Sequence, residues 1–313
     1  MPYYLGVDGG QSSTTALIGD DSGRVVGIGR GGPCNHVGAA EGRAKFITAV
    51  GGCIRAACDQ AGLSEARFSS AVLGFSGGPA DKEALVHELL TADHLLLSHD
   101  ALVALVGACA GEPGIITIGG TGSIAFGRDG HGTTARAGGW GYIFGDDGGA
   151  FDIVRQALRA ALKAEEGWGP ETAVRDLLLE ETGAPSANAL MHSFYTTEYP
   201  RSRVATYSKL VDRAAHDGDA IAIAVLENAA AALAGIAAAV RRQLFAPGER
   251  ARISYVGGVF RSAILRTKFR ALIESEPGNV FGAPVYGPAA GALIEAYRRA
   301  GRSTIPTGLP SEK

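Results

Sequence analysis

Short runs of apolar residues, each closed by glycine or by a polar turn, divide the chain into segments of strand and helix length. Residues 3–8 form an apolar run that ends in Gly9-Gly10, and we predict a buried strand there. Strands at residues 14–18 and 24–29 follow, and helical periodicity covers residues 42–61. The next segments predict, in order, a strand, a helix, a strand and a helix, at residues 70–75, 81–90, 94–98 and 101–110.

The same order begins again after residue 113. Residues 114–118 predict a strand that ends in a second glycine turn, and strands at 124–127 and 133–137 come next. Two blocks that each begin strand–glycine turn–strand predict an α/β fold with two related domains and a cleft between them. We place these domains at residues 1–112 and 113–313. The second would carry a helical insertion at residues 149–240, then a strand at 253–256 and helices at 262–275 and 287–299; the final helix could pack back on the first domain.

Composition narrows the class of protein. The chain has 46 glycines among 313 residues, about twice the usual share, without a three-residue period. A formal net charge of -3 argues against a nucleic-acid partner, and a hydrophobic content of 46% argues against disorder.

The most apolar stretch, residues 220–240, contains Glu227 and Asn228, so we predict a packed helix and no membrane span. Four cysteines without a C-x-x-C pair favour a reduced, cytoplasmic protein, and the polar residues 301–313 predict a loose tail.

The first glycine turn has the composition of a phosphate-binding hairpin. It reads Gly9-Gly10-Gln11-Ser12-Ser13-Thr14, and such turns direct backbone N–H groups and hydroxyls at an anion. Asp8, which precedes it at a strand end, could hold Mg²⁺ through water, because Mg²⁺ keeps much of its hydration shell. The alternative is a tight hairpin in which glycine serves only the backbone.

The second glycine turn, Gly120-Thr121-Gly122-Ser123, begins a match to the dinucleotide-binding pattern G-x-G-x-x-A. That pattern requires a helix to follow, whereas a strand and a turn follow here. We therefore reject a dinucleotide-binding fold and predict a second phosphate hairpin. The chain also lacks the G-x-x-x-x-G-K-[ST] sequence of P-loop enzymes.

Two later glycine clusters also suggest ligand contacts. Residues 138–149 place several glycines around Trp140, an aromatic residue of the kind that packs against sugar faces. Gly257-Gly258, between a strand and a helix, would let a flat ligand such as adenine approach the backbone, although close helix packing explains it equally well. We expect much of the glycine excess to lie at strand ends and turns that face one cleft.

Seven short motifs, taken together, resemble those of the N-acetylglucosamine kinases, in the BadF/BadG/BcrA/BcrD branch of the sugar kinase/Hsp70/actin superfamily. The resemblance covers nearly the whole chain, and the GTGS and GGWG…GDDG elements are the specific ones. In chain order the motifs are Val7-Asp8-Gly9-Gly10-Gln11-Ser12-Ser13-Thr14, Pro33-Cys34-Asn35-His36, Phe75-Ser76-Gly77-Gly78, Ser98-His99-Asp100-Ala101, Gly120-Thr121-Gly122-Ser123, Gly139-Trp140-Gly141 with Gly145-Asp146-Asp147-Gly148, and Val256-Gly257-Gly258-Val259-Phe260.

The resemblance implies two ribonuclease-H-like, actin-like ATPase domains that bind ATP, Mg²⁺ and an amino sugar in an interdomain cleft. It implies transfer of the γ-phosphoryl group to a sugar hydroxyl, O6 in our expectation, with Asp100 as catalytic base. The residues assigned to sugar binding are Asn35, Ser76, Asp100, Thr121, Gly122, Ser123, Gly139, Trp140, Gly141, Asp146 and Ala150. Those assigned to ATP are Gly9, Gly10, Gln11, Ser12, Thr121, Gly218, Gly257, Gly258 and Ser262, with Asp8 at the metal.

One departure and three alternatives accompany this interpretation. Gln11 stands where the family has a glycine and Ser12 where it has threonine, but the hydroxyl is kept and we expect phosphate binding to persist.

The substrate could instead be glucosamine or N-acetylmuramic acid. The chain could also be an ATPase activator of an acyl-CoA dehydratase, but Cys109 is the only cysteine after residue 60, so cluster ligands are lacking. A non-enzymatic regulator would be expected to lose Asp100. We expect a homodimer.

Overall fold

The computed structural model describes residues 1–10, 13–34, 40–77 and 81–310. The chain divides into two compact units. Unit 1 consists of Met1–Gly114 together with Ala283–Lys313, and unit 2 consists of Ile115–Gly282. The division after residue 114 lies close to the one expected from the sequence. The expectation had counted residues 283–313 with the second domain while allowing the final helix to pack back on the first, and the contacts group this whole segment with unit 1.

Unit 1 is built on a five-stranded sheet in the order β3-β2-β1-β4-β5. Strands β1, β2 and β3 pair antiparallel, while β4 and β5 run parallel to β1. A sheet of this kind has one edge at which the three parallel strands all end. The strands are β1 (Tyr4–Gly9), β2 (Thr14–Gly19), β3 (Val25–Gly31), β4 (Arg67–Phe75) and β5 (Thr91–His99).

Helices cover both faces of this sheet. The predicted helix at residues 42–61 is present but interrupted, since a π-helical turn at Ile47–Gly51 separates α1 (Ala40–Phe46) from α2 (Gly52–Ala61). The other helices of unit 1 are α3 (Glu83–Leu89), α4 (Asp100–Ala108) and α12 (Pro288–Arg299). Helix α2 packs on β2 and β3, and α12 packs on β1, β2, β4 and α4.

Unit 2 repeats the same strand order, β8-β7-β6-β9-β10. Here β9 runs parallel to β6, β10 runs parallel to β9, and β7 and β8 pair antiparallel. The shared order supports the inference, made from the two glycine turns, that the chain contains two related α/β domains. The strands are β6 (Gly114–Gly119), β7 (Ser123–Arg128), β8 (Thr134–Gly138), β9 (Ala251–Val256) and β10 (Asn279–Phe281).

The helical insertion of unit 2 forms six helices between β8 and β9. Glycine or proline lies between α5 and α6, between α6 and α7, directly before α8 and between α9 and α10. Helix α11 (Ala263–Glu274) follows β9 after a short 3₁₀ turn at Gly258–Arg261. The six are α5 (Ala150–Glu165), α6 (Ala173–Thr182), α7 (Ala187–Ser193), α8 (Arg201–Thr206), α9 (Ser208–His216) and α10 (Ala220–Leu244).

Helix α10 is long and apolar enough to cross a membrane, by length and composition alone. In the structure its alanine-rich face is buried in the core of unit 2, against β7, β8, α5, α9 and α11. Its C-terminal end is held by Arg241, a buried arginine whose guanidinium donates to the backbone oxygens of Phe245, Ala246 and Glu249 and to Asn279 Oδ1. Helix α10 is thus a core helix of unit 2.

Two sequence-based expectations differ from the structure in this region and at the chain end. Strand β10 was not predicted, because three residues between Gly278 and Gly282 are too few to show a period. The C-terminal residues were predicted to be loose, but Thr307 exchanges backbone hydrogen bonds of 2.9 Å with the turn between β2 and β3, and Arg302 pairs with Asp21. Residues up to 310 are therefore packed on unit 1.

Candidate active site

The register of the parallel strands in unit 1 brings three predicted site residues to one edge of the sheet. Gly9 lies beside Phe75, and Phe75 lies beside His99. Asp8 therefore stands next to the end of β1, Ser76 directly follows β4 and Asp100 directly follows β5. Ligands of open α/β sheets bind outside the carboxyl ends of the strands, so the sheet places these residues where a binding site is expected.

Asp100 is held by the junction of β5 and α4. It is the first residue of α4, its side chain is partly buried, and the N-cap position belongs to His99, which has extended backbone dihedrals. Aspartate is a common N-cap residue, so a purely structural role as the cap of α4 would be the alternative for Asp100. Because the N-cap is His99, the Asp100 carboxylate belongs to the first helical turn at the carboxyl edge of the sheet.

The first glycine turn is a hairpin as predicted. The Gly10 N–H donates to the Ser13 carbonyl oxygen at 2.9 Å, and the Ser76 N–H donates to the Gly9 carbonyl oxygen at 3.0 Å. Side-chain atoms of Cys34 and the Phe75 ring crowd Gly9 so closely that a Cβ could not be added. Three predicted ligands, Gln11, Ser12 and Asn35, lie outside the described residues.

A cavity of about 720 Å³ in unit 1 opens beside this hairpin. Its lining includes the oxygen-bearing residues Asp8, Ser13 and Thr15, and also Arg30. Carboxylate and hydroxyl oxygens are the donors that Mg²⁺ accepts, usually with several waters and a phosphate completing its shell. The donors present therefore fit Mg²⁺ held by Asp8, and Arg30 matches the charge of a phosphate.

The corresponding edge of unit 2 carries the second glycine turn. Gly257, at the end of β9 with φ of 112°, lies so close to Gly119 and Gly120 that a side chain would collide with their backbone. The first N–H groups of α5 are already used here, because Ala150 donates to the Gly120 oxygen at 2.8 Å and Phe151 to the Thr121 oxygen at 3.1 Å. The turn is thus tied to the start of α5.

A cavity of about 360 Å³ lies beside this turn, within unit 2. Four predicted residues line it, namely Thr121, Ala150, Gly258 and Ser262. Ala150 had been assigned to the sugar and the other three to ATP or to both ligands. Gly218, also assigned to ATP, lies at the far end of α9 from the residues that line the cavity. Sequence reasoning missed the polar residues that α8, α9 and the 3₁₀ turn contribute, Ser202, Thr206, Ser208, Lys209, Asp212 and Arg261.

The loop that joins β8 to α5 carries most of the residues assigned to the sugar. Glycines with positive φ at 138, 139, 141 and 148 shape it, and Trp140 is 69% exposed. Ile143 and Phe144 are also exposed. The buried Asp152 carboxylate accepts the Gly148 N–H at 2.9 Å and binds Arg155, which ties the loop to α5.

Asp146 is a nearly buried residue of this loop, and its carboxylate is held by contacts from two other parts of unit 2. Its side chain is 8% exposed and its φ is 62°, a left-handed conformation that is uncommon outside glycine. Its Oδ2 pairs with Arg201 at the start of α8, and its Oδ1 accepts the Ser123 N–H at 3.3 Å. The Ser123 hydroxyl donates to the Asp147 carbonyl oxygen at 2.6 Å. A Cβ on Gly122 would collide with the Asp146–Arg201 pair.

Arg201 is a residue that sequence reasoning missed. Residues 195–201 look like a polar surface turn in the sequence, but Arg201 reaches Asp146 and lies over the Tyr142 ring at 5.4 Å. Its partner stands 55 positions earlier in the chain. Only the preceding Pro200, a residue common at helix starts, marks the position locally.

All four cysteines are buried and free, and all lie in unit 1. Burial raises the pKa of the Cys53 thiol to about 12, and burial likewise raises the pKa of Cys34 and of Cys58. Metal clusters bind the thiolate form, which burial disfavours here. Within the described part of the chain, no group of three or more His, Cys, Asp or Glu side chains could hold a metal ion among themselves.

Comparisons with known proteins find relatives that match over most of the chain. An N-acetylmuramic acid/N-acetylglucosamine kinase of Clostridium acetobutylicum is 30% identical over 88% of this chain and 91% of its own length. An N-acetyl-D-glucosamine kinase of Dictyostelium discoideum is 29% identical, with 94% and 97% covered. A solved structure from Chromobacterium violaceum, assigned as an N-acetylglucosamine kinase, matches with a TM-score of 0.74 and 28% identity, covering 94% of this chain and 98% of that one.

The family resemblance drawn from the short motifs is therefore confirmed over most of the chain. The sequence profile of the BadF/BadG/BcrA/BcrD ATPase family matches residues 5–296, which include both glycine turns, Asp100 and the loop around Asp146. The chain belongs to the BadF/BadG/BcrA/BcrD ATPase family.

Proposed function

We propose that this protein is an ATP-dependent amino-sugar kinase that transfers the γ-phosphoryl group to O6 of a sugar such as N-acetylglucosamine. The names of its curated relatives support this, because they share an amino sugar as phosphate acceptor. The family supplies ATP as the donor.

The observation that carries the proposal is the position of Asp100. Phosphoryl transfer asks the protein mainly to position the reactants and to stabilise charge. The attacking hydroxyl must still lose its proton, and a carboxylate within hydrogen-bond reach can accept it. Asp100 supplies such a carboxylate at the carboxyl edge where β1, β4 and β5 end, together with Asp8 and Ser76.

Each unit offers groups suited to a nucleotide beside its own glycine turn. In unit 1 the hairpin after Asp8 and the guanidinium of Arg30 suit phosphate, and Asp8 would hold Mg²⁺, which supplies positive charge to the phosphate oxygens when bound. In unit 2 the cavity lined by Thr121, Lys209 and Asp212 offers polar groups for the rest of the nucleotide. Asp146 would accept hydrogen bonds from sugar hydroxyls.

Glucosamine and N-acetylmuramic acid remain alternative acceptors within the same activity. An ATPase activator that shares an iron–sulfur cluster between subunits is disfavoured, because the four thiols are buried in unit 1. A regulator without enzymatic activity is disfavoured by the retained Asp100. We further propose a cytoplasmic location, consistent with four free thiols. The homodimer stays a prediction, which light scattering of the purified protein would test.

The proposal is tested by measuring ADP release from Mg-ATP with and without sugars. The panel comprises N-acetylglucosamine, glucosamine, N-acetylmuramic acid and glucose. We expect ADP release only when an amino sugar is present, and mass and NMR spectra of the product should place the phosphate on O6. Equal ADP release with and without every sugar would refute the kinase assignment, and a phosphate on O1 would refute the O6 assignment alone.

A further inference from the structure

We propose that Arg201 is a positioning residue for sugar recognition, acting through Asp146. The inference rests on the proposed function, since Asp146 matters only if the loop between β8 and α5 binds the sugar. It concerns a side chain whose neighbourhood in the sequence indicates only a surface turn.

The contacts of Arg201 all lead to this loop. Its Nη2 pairs with Asp146 Oδ2, and its guanidinium lies 5.4 Å from the centre of the Tyr142 ring. Its Nε is buried, and among the described residues this atom has no hydrogen-bond partner. Arg201 therefore makes its ion pair and its ring contact with the loop between β8 and α5, and its Nε–H is a further donor in the same place.

Asp146 depends on this contact because its own surroundings offer little else. Its carboxylate is nearly buried, and among the described residues its hydrogen-bond partner besides Arg201 is the Ser123 N–H, at a long 3.3 Å. Removal of one member of a buried ion pair leaves an uncompensated charge, which either draws in water or moves to a new partner. Without Arg201 the carboxylate would lose the orientation needed to accept hydrogen bonds from a sugar.

The surrounding residues show that the pair is built into the site. Gly122 leaves the space that the two side chains occupy, since a Cβ there would collide with both. Arg155 holds the same loop from α5, through Asp152 at 2.6 Å and the Tyr142 carbonyl oxygen at 3.4 Å. The rest of the loop is thus anchored independently, and a change at Arg201 acts mainly on Asp146.

The test compares Arg201→Met, which removes the charge and keeps much of the length, with Arg201→Lys, which keeps the charge. In Arg201→Met we expect the KM for N-acetylglucosamine to rise about 10- to 100-fold, the effect of leaving a buried charge unpaired, with the KM for ATP changed less than twofold. Arg201→Lys should recover part of the loss, and added guanidinium ion should partly rescue Arg201→Met.

A matched control lies two residues away in the same helix. Like Arg201, Arg203 makes a hydrogen bond and a ring contact, since it donates to the Glu198 carbonyl oxygen and lies over the Tyr199 ring at 4.2 Å, but its partners belong to another part of the chain. Arg203→Met should leave the sugar KM within twofold of wild type. Thermal unfolding of all variants separates loss of folding from loss of recognition.

A double-mutant cycle distinguishes positioning from general support. If Arg201 acts through Asp146, then Arg201→Met should add little to the sugar KM of Asp146→Asn, whereas independent effects would multiply. The inference is overturned if Arg201→Met leaves the sugar KM unchanged or raises the KM values for sugar and ATP equally. It is also overturned if the fold-changes in sugar KM caused by Arg201→Met and Asp146→Asn multiply in the double variant. Wild-type protein without sugar-dependent ADP release would overturn the proposed function itself, a result visible before any variant is made.

Discussion

At the scale of single residues, Asp100 and Cys53 have roles that follow from where the chain places them. Asp100 begins α4 at the carboxyl edge of the first sheet, where a substrate can reach it. Cys53 lies in α2, which packs on β2 and β3, and it is buried, with its thiol donating to the Thr14 carbonyl oxygen at 3.6 Å. Asp100 is the proposed catalytic base, and Cys53 couples the free energy of unfolding to pH.

Replacing Asp100 with asparagine should lower kcat by about 10²–10⁴-fold, because the amide cannot accept the hydroxyl proton. The KM for ATP should change little. Steady-state kinetics with N-acetylglucosamine and Mg-ATP measure this directly. Asp93→Asn, a change of the same type at an exposed position in β5, the strand that precedes Asp100, is the control and should be neutral. Turnover within a few-fold of wild type in Asp100→Asn would contradict the assignment of the base.

Cys53 should make unfolding easier at alkaline pH. Its pKa is raised from 9.0 to about 12, so between these values the folded state keeps the proton that the unfolded state loses. Stability from this group is complete below pH 9 and falls as pH rises towards 12, by up to about 1.4 kcal/mol per pH unit. Denaturant unfolding at pH 8, 9 and 10 should show a shallower decline in Cys53→Ala than in wild type. Parallel declines would contradict the prediction.

At the scale of helices and strands, many glycines serve close packing rather than ligand binding. Gly27 and Gly29 on β3 lie against backbone oxygens of α2, and Gly6 on β1 lies against the backbone of α12. Gly107 of α4 and Gly291 of α12 meet where these two helices cross. The sequence had suggested that the excess glycine gathers at a ligand site. Part of it instead sets the distance between helices and the first sheet.

Gly291→Ala should therefore destabilise the protein by about 1–3 kcal/mol, since the added methyl group would collide with the Val103 oxygen and the Gly107 backbone. Gly235→Ala is the matched control. Gly235 lies in the middle of α10 on its exposed face, with open space around a new Cβ. That change should stabilise by up to about 1 kcal/mol through helix propensity. Chemical denaturation compares the two, and equal effects would contradict the packing argument.

At the scale of the whole molecule, the two units differ in the number of chain segments that form them. Unit 2 is one continuous segment with its own core. Unit 1 needs two segments, because α12 covers one face of its sheet. That face includes Tyr4, Leu17 and Val72, which pack with Leu293 and Tyr297 of α12.

We predict that residues 115–282 fold alone, whereas residues 1–114 alone do not. The missing helix would leave the apolar face of β1, β2 and β4 exposed to water. Joining residues 283–313 to residue 114 through a flexible glycine–serine linker should restore a cooperative thermal transition, followed by circular dichroism. A cooperative transition in residues 1–114 without that helix would show that α12 is dispensable.

The sequence predicted some residues of the candidate site and missed others. Asp8, Ser76 and Asp100 stand directly at predicted strand ends, so their meeting at one edge followed once the strands were known to be parallel. The polar lining from α8 and α9, including Lys209 and Asp212, was missed because those helices show only ordinary surface periodicity. Gly218 was assigned to ATP from its local motif, and it is not among the residues that line the cavity beside the second glycine turn, so its role stays a prediction.

The sequence by itself determined the α/β class, most strands and helices, and the positions of the glycine turns, because these depend on periodicity and on dihedral angles within a few residues. Only the tertiary structure decided that β10 completes the second sheet, that residues 283–313 belong with unit 1, and that Arg201 pairs with Asp146. Each of these contacts joins residues far apart in the chain. Their free energy comes from burial and charge pairing, and no local pattern of residues records which partners will meet.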